Sequence, residues 1–532
     1  MRLSTILAST AVLAGSMVSA ELDPIVMKGQ KFFYKTSGKE FFMRGIAYQQ
    51  EWAGKGSDSG GKKYKDSIAD VEGCKRDIPL LKELKTNTIR AYQIDPKADH
   101  KECMKMLDEA GIYVVADLSE PATSINRKDP KWNDDLYERY TAVIDELAPY
   151  SNVIGFFAGN EVTNDKKNTE ASAFVKAAVR DMKQYIKRKN YRKMGVGYAT
   201  NDDAEIRDNL VDYFYCGEED ETVDFWGYNI YSWCGDSSFE KSGYDDVVKQ
   251  FTGFSVPVFF AEYGCNEVKP RPFTEVKALY GDKMTPAISG GIMYMYFQED
   301  NEYGLVELDD GKAKKLKDFG AFKKQMEKVD PKGTTLDEYT AKNIELRQCP
   351  NISGTWKAHE KLPPTPNREL CKCMVKSLSC KAKDDIDPED LGDLFGSVCG
   401  MDKEACAGFA TNPKKGSYGA YSMCNPTEQL SHAYNTYYEL NGKKDTACDF
   451  DGTAELDDAE KPEGNCAKLI KEAGKDGSGT VNAAPTAGDG EGSASGTSAA
   501  SPLAIPSFNF GILSLSAYLV CAMTAGAGMI FM

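Results

Sequence analysis

Two apolar runs in this chain end in an acid. Val153-Ile154-Gly155-Phe156-Phe157-Ala158-Gly159-Asn160-Glu161-Val162 closes on a carboxamide and a carboxylate, and Val256-Pro257-Val258-Phe259-Phe260-Ala261-Glu262-Tyr263-Gly264 repeats the form. Each run is short enough to be a buried strand, and each delivers one Glu at its C-terminal end. A Glu there is costly unless it is solvated, paired or used. In a barrel of parallel strands that end is the face where chemistry sits, so the two acids could share one site. Paired carboxylates are the equipment of glycoside hydrolysis and transglycosylation, one acting as acid/base and the other as nucleophile. The competing reading is structural: each Glu caps a strand or bridges to an Arg. Repetition of the strand-then-Glu pattern weighs against it.

The elements that must position these acids recur along the chain. Candidate strands fall at 41–49, 87–95, 113–119, 153–161, 194–200, 224–233, 256–263 and 290–297. Between them lie amphipathic helices, one with Leu136, Tyr140, Val143, Ile144 and Leu147 on one face, another with Val175, Ala178, Val179, Met182, Tyr185 and Ile186. Eight alternations over roughly 300 residues predict a (β/α)8 TIM barrel rather than a doubly wound sheet, whose usual sign is a Gly-rich first turn. Gly54-Lys55-Gly56 through Gly60-Gly61 is the nearest approach to such a turn, and it reads as a polar loop.

The 532 residues, 41% of them hydrophobic, allow two or three domains with real cores. A formal net charge of −16 argues against nucleic acid or an anionic membrane as the main partner. With only three histidines, His100, His359 and His432, and no H-E-x-x-H pattern, neither a histidine triad nor a metal site is expected, nor any cofactor. Each His is taken as a surface or loop residue.

Residues 1–20 carry one basic residue, Arg2, an apolar run and the small-residue site Val18-Ser19-Ala20, the pattern of a secretory signal. Secretion makes the cysteines disulfide material. Fifteen are present, and setting aside Cys521 in the C-terminal apolar tail leaves fourteen, an even number. A barrel domain at 21–350 is followed by a proline-marked linker at 351–368, where Asn351-Ile352-Ser353 is an N-glycosylation sequon. Residues 369–470 hold eight cysteines, dense enough for a small disulfide-rich C-terminal module. A Gly/Ser-rich stalk at 471–495 precedes an apolar end at 496–532 with no basic flank, the pattern of a removed glycosylphosphatidylinositol (GPI) signal, with Ser495 as the attachment residue.

Four stretches make the reading more specific: Phe42-Met43-Arg44-Gly45-Ile46-Ala47-Tyr48-Gln49, Ile89-Arg90-Ala91-Tyr92, Phe157-Ala158-Gly159-Asn160-Glu161-Val162 and Phe260-Ala261-Glu262-Tyr263-Gly264-Cys265. On these the chain resembles the fungal 1,3-β-glucanosyltransferases of glycoside hydrolase family 72, the Gas/Gel/Phr type, over nearly all of its mature length. The cysteine-rich segment resembles a family 43 carbohydrate-binding module. The resemblance implies a retaining enzyme at the cell surface that cleaves β-1,3-glucan and joins the piece to a second β-1,3-glucan. Glu161 would be the acid/base and Glu262 the nucleophile, with the two carboxyls roughly 5–5.5 Å apart.

It also implies substrate contacts. Tyr92 and Tyr294 would stack on sugar and hydrogen-bond the donor, and Asn160 would hold the 2-hydroxyl. The loop from Ser119 to Arg127 would wall the donor side. Asp202 and Arg207 would meet the acceptor, and Tyr231 would support the nucleophile. Ordinary packing competes for Tyr294 and Tyr231, and a solvated surface pair for Asp202 and Arg207. No role is assigned to Gly227 and Tyr228. The implied disulfides are Cys74–Cys103, Cys216–Cys349 and Cys234–Cys265 in the barrel. In the module they are Cys371–Cys424, Cys373–Cys466, Cys380–Cys448 and Cys399–Cys406, a connectivity that spacing alone does not fix. A secreted endoglucanase using water and a non-catalytic wall-binding protein are the alternatives.

Overall fold

The computed structural model describes residues 21–51, 64–120, 123–341, 345–474 and 476–481. The leader, the glycine loop at 54–61, Ser495 and the apolar end fall outside them. Eight strands close a barrel: β1 (Met43–Ala47), β2 (Thr88–Ala91), β3 (Tyr113–Asp117), β4 (Val153–Asn160), β5 (Gly195–Thr200), β6 (Trp226–Asn229), β7 (Val258–Tyr263) and β8 (Gly290–Met293). Every neighbouring pair is parallel, and β8 returns to pair with β1. Helices α1 (Val71–Glu83), α2 (Lys101–Glu109), α3 (Asp134–Leu147), α4 (Ser172–Arg188), α5 (Arg207–Phe214), α6 (Tyr244–Phe251), α7 (Glu275–Leu279) and α8 (Lys317–Met326) surround it. The expected faces of α3 and α4 are the buried ones.

Strand alternation sorts the core into two layers. On β3, Tyr113 and Val115 point into the barrel, while Val114 and Ala116 face the helices. Phe157, Phe225 and Phe259 fill the interior, and glycines make room for them: a Cβ on Gly197 would lie 2.3 Å from the Phe225 ring. An antiparallel hairpin, Ile25–Lys28 with Lys31–Tyr34, precedes the barrel, an element the strand reading does not contain. Its Phe32 ring packs on Phe225 and Phe259, 6.5 and 6.0 Å away between centroids, and so plugs the barrel core.

Behind the barrel, α9 (Arg368–Lys376), α10 (Leu391–Met401), α11 (Pro426–Leu440) and α12 (Gly464–Ala473) form the small module. It is held by Cys371–Cys424, Cys373–Cys466, Cys380–Cys448 and Cys399–Cys406. Three more disulfides, Cys74–Cys103, Cys216–Cys349 and Cys234–Cys265, staple the barrel. Seven disulfides suit an extracellular setting. The module sits against α3 and α4: Arg368 pairs with Asp134, Asp135 and Glu138, and Tyr418 meets Phe174 edge-on at 6.0 Å. The folded part runs past 471, where a stalk was expected, because α12 continues to Ala473 and Val481 still packs on the module core.

The histidines need correcting. His100 is fully buried, its ring nitrogens 2.9 Å from Asp66 and 2.9 Å from Glu146, and His432 is 5% exposed. Two carboxylates make burial of His100 tolerable, and neither carboxylate is near it in sequence. No helix among the described residues is long and apolar enough to cross a membrane.

Candidate active site

β2 carries an arginine through an apolar interior. Alternation turns Thr88 and Arg90 inward and Ile89 and Ala91 toward the helices. A fully buried guanidinium must find a carboxylate. Arg90 finds Asp117, the last residue of neighbouring β3, in a two-pronged pair at 2.9 and 2.9 Å. Its remaining Nη1 reaches Glu262 Oε1 at 3.4 Å. The guanidinium plane is held between the Tyr92 and Phe157 rings, 4.2 and 4.3 Å from their centroids.

Glu262 is 8% exposed. Besides Arg90, the Tyr92 hydroxyl donates to its Oε1 at 3.0 Å and the Tyr231 hydroxyl to its Oε2 at 2.8 Å. Burial pushes its pKa above the ordinary carboxylate value, Arg90 pulls it back, the charge of Glu161 raises it again, and the two phenols lower it. Simple alternation would aim this carboxyl the wrong way, since Phe259 and Ala261 face the barrel interior. A register shift between Phe260 and Tyr263 inserts an extra residue in β7 and turns Glu262 into the mouth.

Glu161 reaches the same mouth differently. It follows β4 at φ +49°, a left-handed backbone that is uncommon for residues other than glycine and costs about 1–3 kcal/mol. The turn is held by its N–H to Ala199 O at 2.8 Å and by Arg127 Nη2 donating to its carbonyl at 2.7 Å. Its side chain is half-buried, and Asn229 Nδ2 donates to its Oε1 at 2.8 Å and to Asn160 Oδ1 at 3.0 Å.

A pocket of about 410 Å³ opens beside these groups, lined by Tyr92, Asp117, Ser119, Arg127 and Asn160. Tyr294, half-buried, meets Tyr92, Tyr231 and Tyr303 edge-on at 6.5, 6.3 and 5.3 Å, so four phenol rings form one wall. Asp202 and Arg207 lie together just past β5, 2.9 Å apart, and the Tyr228 hydroxyl also donates to Asp202. Tyr228, given no role from sequence, thus supports that pair. A larger cavity of about 790 Å³ lies between barrel and module, and another of about 480 Å³ lies beside α4; neither is lined by Tyr92, Asp117, Ser119, Arg127 or Asn160.

Arg90, Asp117, Asn229 and Tyr303 were not singled out from sequence. The first two carried a signal: a lone Arg within an apolar strand and a lone Asp ending the next one have opposite charges to bury together. Asn229 was legible only as an inward position of the sixth strand, and Tyr303, in the loop after β8, had no signal.

The sequence profile described as Glucanosyltransferase, of glycoside hydrolase family 72, matches residues 14–330, and that of the X8 domain matches 378–455. A 1,3-beta-glucanosyltransferase of Arthroderma benhamiae is 60% identical, with 100% of both chains covered. The pH-responsive protein 1 of Candida albicans is 51% identical over 83% of this chain and 82% of its own. Among solved structures, Saccharomyces cerevisiae Gas2p in complex with laminaripentaose is 46% identical with a TM-score of 0.76, covering 82% of this chain and 97% of that one. Matched in sequence along its whole length and in fold over most of it, the chain belongs to the glucanosyltransferase family, glycoside hydrolase family 72, with an X8 domain following its barrel.

Proposed function

We propose that the protein is a retaining 1,3-β-glucanosyltransferase that cleaves β-1,3-glucan internally and transfers the new reducing end to the non-reducing end of another chain, elongating cell-wall glucan. The observation that carries this reading is the unequal pair of carboxyls in one mouth, Glu262 gripped by Arg90, Tyr92 and Tyr231, and Glu161 by Asn229. Glu262 attacks the anomeric carbon as the glycosidic C–O bond breaks, and Glu161 gives its proton to the departing oxygen. The glycosyl group is then an ester of Glu262. The 3-hydroxyl of an acceptor glucan attacks the same carbon, Glu161 takes the hydroxyl proton, and Glu262 leaves as carboxylate.

The four phenols are sugar platforms, Tyr92 and Tyr231 also lowering the Glu262 pKa against the burial that raises it. Asn160 faces the 2-hydroxyl of the reacting sugar, and Ser119 and Arg127 wall the donor. Asp202 with Arg207 receives the acceptor. Around this core the chain is a secreted protein, cleaved after residue 20, glycosylated at Asn351, and held by a GPI lipid at Ser495 on the outer leaflet of the plasma membrane or in the wall.

Incubation of the purified protein with a single laminari-oligosaccharide tests the reading. Products longer than the starting chain are expected, and shorter products alone would make the enzyme a hydrolase. No change in the oligosaccharide at all would leave only a wall-binding protein, and unchanged glucan processing by Glu262→Gln would remove Glu262 from the nucleophile role.

A further inference from the structure

The wall of phenols stands on one buried cation. Arg271, in the loop after β7, is 1% exposed, and it pairs with Asp318 in the first turn of α8. Asp318 accepts the Arg271 backbone N–H at 3.1 Å on one oxygen and its Nε–H at 2.7 Å on the other, which fixes the root of the side chain. The two terminal nitrogens reach the other way, and both end on backbone carbonyls. Nη1 donates to Tyr294 O at 2.7 Å and to Gly264 O at 3.2 Å, and Nη2 donates to Tyr303 O at 2.5 Å. The guanidinium also lies 4.7 Å from the Phe273 ring centroid and 5.6 Å from that of Tyr303.

Two of those three carbonyls belong to residues of the wall itself, Tyr294 just past β8 and Tyr303 in the loop that follows. A simple core ion pair would need only Asp318 and any cation. Spanning carbonyls from separate segments takes a planar fork, which arginine supplies and lysine does not. The Glu262 carboxyl has its own holders in Arg90, Tyr92 and Tyr231, so the clamp acts on the wall rather than on the nucleophile. We propose that Arg271 is a positioning residue for glucan binding: by clamping the backbones of Tyr294 and Tyr303 it builds the phenol wall before the sugar arrives. This rests on the reading of those phenols as sugar platforms. Rings already in place cost the complex less ordering than rings that must be fixed on binding, so the clamp lowers KM and leaves the chemical step alone.

Steady-state kinetics on a laminari-oligosaccharide test this in Arg271→Lys, which keeps a charge for Asp318 but not the fork. KM should rise about 10-fold while kcat stays within about twofold. The paired replacement of Arg271→Met with Asp318→Asn leaves no charge buried alone, and it carries the test if thermal unfolding finds the lysine variant unfolded. Failure of both to fold would make Arg271 a stability element and end the proposal. The same change is then made in a Tyr303→Ala background. There it should raise KM by no more than about 3-fold, because one of the two rings it acts on is gone. An undiminished rise in that background, or a loss that falls on kcat instead, overturns the positioning role. Tyr303→Ala by itself separates the two levels: an unchanged KM ends the platform reading and the clamp with it, whereas a raised KM beside an undiminished Arg271 effect sinks only the clamp.

Discussion

Around Glu262 the barrel gathers three donors and nearly closes over the carboxyl, whereas Glu161 has one side-chain donor and a half-buried position on a left-handed turn. The floor of the mouth is a rigid network: Asp117 fixes Arg90, Arg90 reaches Glu262, and two phenols fix both oxygens. The rim is held mostly through backbone, by Arg127 and Ala199. The difference fits the two jobs in the proposed cycle. A nucleophile works in one charge state and benefits from being locked in it, while an acid/base changes state twice per turnover and needs access to the proton it moves.

The largest test of that contrast is chemical. Glu262→Gln should lower kcat on a laminari-oligosaccharide by at least about 10⁴-fold, because nothing else can form the covalent intermediate. Glu161→Gln should cost less, about 10²–10⁴-fold, the usual worth of a general acid/base. Equal losses would erase the distinction between floor and rim.

Stability should divide the same way. Arg90→Met leaves Asp117 buried without its partner, and chemical denaturation should show a loss of about 3–5 kcal/mol. Arg127→Ala, at an exposed side chain, should stay within about 0.5 kcal/mol. A stable Arg90→Met would mean that the floor network does not hold the barrel mouth together.

The smallest effect is the most diagnostic. Tyr231→Phe keeps the ring and removes one donor that lowers the Glu262 pKa, against the burial that raises it. With that donor gone the pKa rises further, so more enzyme carries a protonated nucleophile at low pH. The acid limb of kcat/KM should therefore move up by about one pH unit, with the alkaline limb unchanged. An acid limb that stays in place would assign the locking to Arg90 and Tyr92.

Much of this contrast was open to sequence reasoning and part was not. Eight strands in the right order followed from apolar runs punctuated by amphipathic helices, and both glutamates stood at strand ends. Arg90 and Asp117 were readable in principle, because alternation places both inside the barrel. The aim of the acids was not: Glu262 faces the mouth only through the register shift after Phe260, and Glu161 only through its positive φ. Neither leaves a mark in hydrophobic pattern. His100 misled for a related reason, since its two carboxylate partners come from distant segments.

By itself, then, the amino-acid order determined which segments become strands and helices, the count of cysteines, and the kinds of groups brought to the strand ends. These follow from local periodicity and from what it costs to bury each side chain. Barrel closure alone decided that Arg90 would brace Glu262, that Asn229 would reach Glu161, and that the hairpin around Phe32 would plug the core. Such contacts join residues far apart in the chain, and their geometry is set by strand register and shear, quantities that exist only once all eight strands have paired.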